Sequence, residues 1–364
     1  MCPRLSSSRL LPVGVVAVLA LFLVSVQLLG AATESAAPFL ERVFSRVLVA
    51  DAAALGLGWL GAYVLGNGSV IAALALSLFT AGLVSASQLF LLIAGSRLGA
   101  AAIVVVVGVL DYAQKERYTL QESVRMGVLT FLLTHSIYLP VTLLGYLILP
   151  VVRDPILAAS AEWSLGARSL SWTAPLTTAI TARLGPVPSV LLAVALLFGS
   201  LRLFDRLLSH VETATIRRRF FSHFERTWIS FAIGLFVTGA STSVAFSLGV
   251  IVPLYNRGYV ERDELVPYVL GANLGTLFDT LVVALILESA VGVALVLELL
   301  GLASLVTAGA LLVHDRYSHL IVAVDDRLLV DRRAFVAFVL SLLLGPLLLV
   351  AVPLVSGCAI IVIE

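Results

Sequence analysis

Residues 269–283 read VLGANLGTLFDTLVV, an apolar run interrupted by Gly271, Asn273, Gly275, Thr276, Asp279 and Thr280. Together these offer hydroxyl, amide and carboxylate groups. The glycines give the backbone freedom to leave helical geometry and free its own N–H and C=O groups. Those are the donors and acceptors that a polar solute needs at membrane depth. Irregular backbone in a bilayer is tolerated only where it lines a cavity or is buried in protein. The cluster therefore predicts a broken helix facing a cavity over 271–280. A second group of interest is Arg97, which with Asp279 is an ionisable residue inside an apolar stretch. Such residues are costly in hydrocarbon and are functional candidates by default. Two plainer roles compete: Arg97 reaching out to an interface, or the two charges neutralising each other structurally.

The elements that must position these residues are membrane helices. Of 364 residues, 60% are hydrophobic and only 12% are charged. Mean hydropathy is +1.08, a value that a soluble protein with a polar surface rarely reaches. Apolar stretches at 10–32, 126–152, 187–204, 280–313 and 335–357 approach or exceed the roughly 20 residues that a helical crossing needs. The fold class expected is all-α and polytopic, a single integral membrane domain over 1–364. The first apolar stretch is longer than the core of a signal peptide and is read as a retained span. Cys2 and Cys358 stand at opposite ends and imply neither a disulfide framework nor a metal site. No metalloprotease, Walker, nucleophile-elbow or paired-cysteine signature occurs, so an enzyme is not expected. His135 reads as a hydrogen-bonding residue within a span, Glu288 and Glu298 as marks of a helix end or inter-span loop, and His314 and His319 as flanks of a loop.

Charge sets the expected orientation. Segment 202–226 carries six arginines against three acids, whereas 33–51 is mildly acidic. Excess arginine marks cytoplasmic loops, which places the N-terminus inside, 33–47 outside and 202–226 inside. Segments 111–125 and 314–333 read as loops of mixed sign. Segment 153–183 is compatible with either an interfacial helix or a weakly hydrophobic span.

Segments 66–110 and 242–286 align without a gap at an offset of 176, with nine of 45 positions identical. Apolar chains match often by chance, but Gly82, Gly95 and Gly99 all recur, as Gly258, Gly271 and Gly275. The first segment follows an outside loop and the second an inside loop. Equivalent segments entered from opposite faces form an inverted-topology repeat, an architecture of secondary transporters whose broken helices meet near the bilayer midplane. Repeat one is expected over about 33–125 and repeat two over about 227–313.

At these residues the chain resembles the sodium–phosphate cotransporter II family, including its bacterial sodium-dependent phosphate symporters. That family repeats a Gln-Ser-Ser-Ser motif, an apolar stretch and a Gly-Ala-Asn-Ile-Gly-Thr motif. Gly271-Ala272-Asn273-Leu274-Gly275-Thr276 reproduces the second motif with one conservative change. Thr242, Ser243, Val244 and Ala245 occupy the first motif's positions, so a Ser241-Thr242-Ser243 hydroxyl cluster survives without the glutamine. In repeat one, Gly66-Asn67-Gly68-Ser69 and Gly95-Ser96-Arg97-Leu98-Gly99-Ala100 stand at the motif positions.

The resemblance implies sodium-coupled uptake of phosphate or a related oxyanion across the cytoplasmic membrane. It implies a substrate site from Ser241, Thr242, Ser243, Gly271, Ala272, Asn273, Gly275, Thr276, Asn67, Ser69 and Arg97. Thr276, Asp279 and Thr280 are the ion-coupling candidates. An oxyanion suits hydroxyls and helix N-termini, and sodium suits Ser/Thr and carbonyl oxygens. The expected partners are the oxyanion, sodium, the lipid bilayer and further copies of the chain; no cofactor, nucleic acid or metal other than sodium is expected. Two alternatives stay open: a sodium-independent anion transporter in which Arg97 supplies the positive charge, and a non-transporting scaffold.

Overall fold

The computed structural model describes residues 7–114, 120–161, 173–209, 226–241, 247, 251 and 262–361. Among them the regular elements are all helices: α1 Ser7–Val47, α2 Asp51–Leu65, α3 Gly68–Thr80, α4 Ala86–Gln114, α5 Leu120–Ala161, α6 Ala174–Leu184, α7 Pro186–Ser209, α8 Thr227–Ser241, α9 Arg262–Gly275, α10 Leu277–Ile286, α11 Ala290–Leu312, α12 His314–Val330 and α13 Arg332–Ile361. Six described segments are long and apolar enough to cross a bilayer: Val13–Val47, Val124–Val152, Pro186–Leu207, Arg262–Ile286, Ala290–Leu312 and Arg332–Val355. The chain is a multi-pass membrane protein. Four shorter apolar helices, Asp51–Leu65, Gly68–Thr80, Ala86–Ala102 and Thr227–Ser241, lie among them.

Several sequence expectations are corrected. The apolar run 280–313 is not one span. Helix α10 ends at Ile286, Glu288 takes a left-handed φ of 52°, and the Ser289 side chain caps α11 by accepting from the Gly292 N–H. Glu288 thus marks a helix end, whereas Glu298 sits buried within α11. Segment 314–333 is not a loop. Residues 314–330 form α12, because Ser318, Ile321, Asp325 and Leu329 recur at helical spacing and are buried together, and His314 and His319 both lie on that helix. The loop expected at 33–47 is the end of α1, whose helix runs on to Val47. The ambiguous 153–183 divides between the end of α5 and α6, with its middle outside the described residues.

Helix α2 turns into α3 at Gly66, whose φ of 63° needs no β-carbon in the way. Asn67 then caps α3, its Oδ1 accepting from the N–H groups of Ser69 (2.8 Å) and Val70 (3.4 Å). The principal packing pairs are α2 with α4, α8 with α9, α4 with α5, and α1 with α7.

Both ends of α2 and of α8 are related by the offset of 176, and so are the first residues of α4 and α9, Ala86 and Arg262. Side-by-side contacts follow the same register. A β-carbon added at Gly95 would strike the Leu55 carbonyl, and one at Gly271 would strike that of Phe231, 176 residues on from Leu55. Gly58 meets the Leu92 carbonyl as Gly234 meets that of Tyr268. Gly99 meets the Trp59 carbonyl and the Ala62 side chain, and Gly275 meets Leu235 O and Thr238 Cβ, each at 2.8 Å. Backbones this close exclude any residue but glycine, which is the physics of small-residue seams between membrane helices.

At one end of the bundle, charged groups tie three helices together. Arg262 at the start of α9 bonds Asp326 of α12 (2.8 Å), and Arg125 near the start of α5 reaches the same carboxylate (3.8 Å). Asp325 beside it is fully buried, with Arg262 at 3.6 Å. Burial raises the Asp325 carboxyl to about 6, against the opposing pull of Arg262 and Arg125.

Candidate functional site

The site forms where Arg97 of α4 meets the α9–α10 junction. The broken helix expected over 271–280 is reduced to a one-residue turn at Thr276. Its φ of −69° and ψ of −16° stay right-handed helical, so α9 and α10 run on as one 25-residue span. Arg97 Nη1 donates to Thr276 O (3.0 Å) and Nη2 to Thr280 Oγ1 (3.3 Å), while Nε reaches Ser96 Oγ (3.4 Å). The Thr280 hydroxyl in turn donates to Asp279 Oδ1 (3.0 Å). Arg97 is 5% exposed and Asp279 3%.

The junction holds both charges: the Thr276 carbonyl faces the guanidinium, and Asp279 lies in the first turn of α10. The two do not neutralise each other directly, since no ion pair within 4.0 Å joins them among the described residues. Thr280 bridges them instead, and Asp279 Oδ2 is buried with no hydrogen-bond partner. Ser69, in the first turn of α3, is a further neighbour of the Asp279 carboxylate.

Asn273 faces a different helix. Its Nδ2 donates to Thr134 Oγ1 of α5 (2.9 Å), and its carbonyl accepts from both Tyr138 Oη (3.0 Å) and Thr276 Oγ1 (2.7 Å). The Thr134 hydroxyl in turn donates to Thr130 O (2.8 Å). Helix α5 is therefore the third wall of the site, which the motif residues alone did not reveal. A signal was available: Thr130, Thr134, Tyr138 and Thr142 recur every fourth residue through an apolar run and so lie on one helix face. His135, offset from that stripe, is buried and stacks on Phe131 at 3.6 Å between centroids, a packing role.

Of the sequence candidates, Arg97, Thr276, Asp279 and Thr280 come together, with Ser69 beside Asp279 and Asn273 one turn earlier on α9. Gly271 and Gly275 present their open faces to α8, and Ala272 is wholly buried between them. Asn67 uses its side-chain oxygen to cap α3 rather than to reach Arg97. Ser241 is buried at the end of α8. Thr242 and Ser243 lie outside the described residues.

No curated protein and no solved structure matches the chain. A family model does. The match covers residues 196–320, from α7 through α8, α9, α10 and α11 into α12, and so takes in the Gly271–Thr276 motif and the Asp279 and Thr280 side of the site. Its description is Na+/Pi-cotransporter, and through that segment, about a third of its length, the chain is similar to that family.

Proposed function

We propose that the protein is a secondary transporter that moves phosphate, or a related oxyanion, together with sodium. The observation that carries this reading is the pair of buried opposite charges, Arg97 and Asp279, held 182 residues apart in sequence at one helix junction without pairing directly. A guanidinium is suited to an oxyanion's geometry. Asp279 and the hydroxyls of Thr276 and Thr280 are hard oxygen ligands of the kind that sodium takes. Carrying both ions together would offset the charge brought to membrane depth.

The architecture that fits this is an inverted repeat, with repeat one around α2–α4 and repeat two around α8–α10. Helix α5 begins six residues on from the end of α4, and Arg125 of α5 and Arg262 of α9 share Asp326. Thus α9 starts at the end of the bundle where its counterpart α4 finishes, and the two run in opposite directions. In that register Arg97 is the counterpart of Asn273. The end bearing Arg125, Arg226, Arg262, Arg332 and Arg333 is then cytoplasmic, with the N-terminus on the same side.

Uptake of phosphate into proteoliposomes under an imposed sodium gradient tests the function. Uptake should rise with external sodium, fall at least about tenfold in Arg97→Ala and Asn273→Ala through loss of charge-assisted and buried hydrogen bonds, and persist in Arg316→Ala, an exposed change on α12. Failure of phosphate, arsenate and sulfate alike to accumulate overturns the transport reading in favour of a scaffold. A specific residue favours the sodium-independent variant: Arg97 brings a fixed positive charge to the position where repeat two has a neutral amide. Equal uptake with and without sodium would decide for it.

A further inference from the structure

Beside Asp279 lies a cavity of about 280 Å³ between α1, α7, α8 and α10. Phe22 of α1, Phe204 of α7 and Phe278 of α10 supply three aromatic rings to its wall, and aliphatic side chains such as Leu23, Leu201 and Val282 supply most of the rest. Among the described residues, Asp279 is the one charged residue lining it. One carboxylate oxygen is engaged by Thr280, while Oδ2 accepts no hydrogen bond although buried. Phe278 and Val282 are 40% and 43% exposed on a helix long and apolar enough to span a bilayer, so this wall of the cavity reaches the lipid-facing surface.

We propose that this cavity is a binding site for a lipophilic organic monocation, an aryl or alkyl ammonium that enters from the bilayer. Three observations select that chemistry. Oδ2 accepts no hydrogen bond, and Arg97 reaches the carboxylate only through Thr280, so positive charge on the cavity side would lower the cost of the buried anion. Aromatic faces attract an ammonium centre that has shed its water. The apolar walls disfavour entry of a hydrated inorganic ion from this face, leaving sodium to reach Asp279 from the Thr276–Thr280 side, while accepting a hydrophobic body. The volume sits at the lower end of small-molecule pockets, which limits the ligand to one ring and a compact head.

The test uses the full chain in phosphatidylcholine nanodiscs and reads thermal stabilisation, which needs no transport activity. Benzyltrimethylammonium is compared with neopentylbenzene, its neutral isostere in which carbon replaces nitrogen. The cation should raise Tm in a saturable manner, with an apparent affinity about tenfold better than the isostere. Asp279→Asn should remove that preference, and Ala240→Phe, which fills the cavity from α8, should abolish saturable binding of both. Equal stabilisation by the two probes would show a mere apolar lipid seat and overturn the proposal, as would a preference that survives Asp279→Asn or no saturable binding at all. If Asp279→Asn does not fold, the comparison of isosteres on the wild type and on Ala240→Phe still decides the question.

Discussion

At the residue scale, the arrangement turns on a hydroxyl. Thr280 accepts from Arg97 and donates to Asp279, so a single oxygen links two buried charges that stand too far apart to pair. Thr280→Val keeps the shape and removes both bonds, leaving charged groups less satisfied; a loss of about 1–3 kcal/mol in stability is expected, read by thermal or denaturant unfolding in detergent. Arg97→Ala and Asp279→Ala should each be destabilising, because each leaves an uncompensated buried charge. The double variant should be less damaged than the sum, by at least about 0.5 kcal/mol, as expected for residues in one network. Additive effects would show that the two charges are satisfied independently.

At the element scale, glycine seams decide which helices touch. Gly271 and Gly275 bring α9 onto α8, as Gly95 and Gly99 bring α4 onto α2. Gly271→Ala must push backbones apart and should cost about 1–3 kcal/mol. Gly309 on α11 has open space around it, so Gly309→Ala should be neutral or stabilise by up to about 1 kcal/mol through helix propensity. The same scale governs the charged cluster joining α5, α9 and α12. Asp325 has its carboxyl raised to about 6 from an ordinary 3.8, chiefly by burial. The folded protein therefore holds this proton more tightly than the unfolded chain does. Its contribution to stability is full below about pH 4 and declines as pH rises through about 6. Unfolding measured from pH 4 to 7 should show that decline, and Asp325→Asn should flatten it.

At the scale of the whole molecule, direction of travel is the testable quantity. The end of α1 near Glu41 lies with the start of α4, since Gln88 Nε2 reaches Leu48 O (3.4 Å), whereas Asp331 follows α12 at the end marked by Arg125 and Arg262. Cysteines at Glu41 and Asp331, both exposed, should be labelled by an impermeant maleimide from opposite sides of the membrane. Labelling from one side would remove the inverted repeat.

Much of this was written in the amino-acid order. Hydropathy alone identified a multi-pass helical membrane protein, because a lipid-facing surface leaves the chain apolar on every face. The 176-residue register was also present as recurring glycines, and it reappears in the boundaries of α2 and α8 and in the contacts of Gly58, Gly95, Gly234 and Gly271. Close backbone approach tolerates no other residue, so it leaves a mark in composition. The motif at 271–276 likewise pointed to the junction where Arg97 docks. Other features depended on distant parts of the chain. Hydropathy cannot see a break such as Glu288, where a left-handed backbone interrupts apolar residues on both sides, nor α12, whose polar face hides its helical period. Nor does an arginine in an apolar stretch name its partner: Arg97 turned to the Thr276 carbonyl and Thr280 rather than to Asp279, and Asn67 turned to its own backbone. Hydrogen bonds are satisfied by whichever acceptors packing brings within 3 Å or so, and that proximity is decided only when α4, α5 and α9 close on one another.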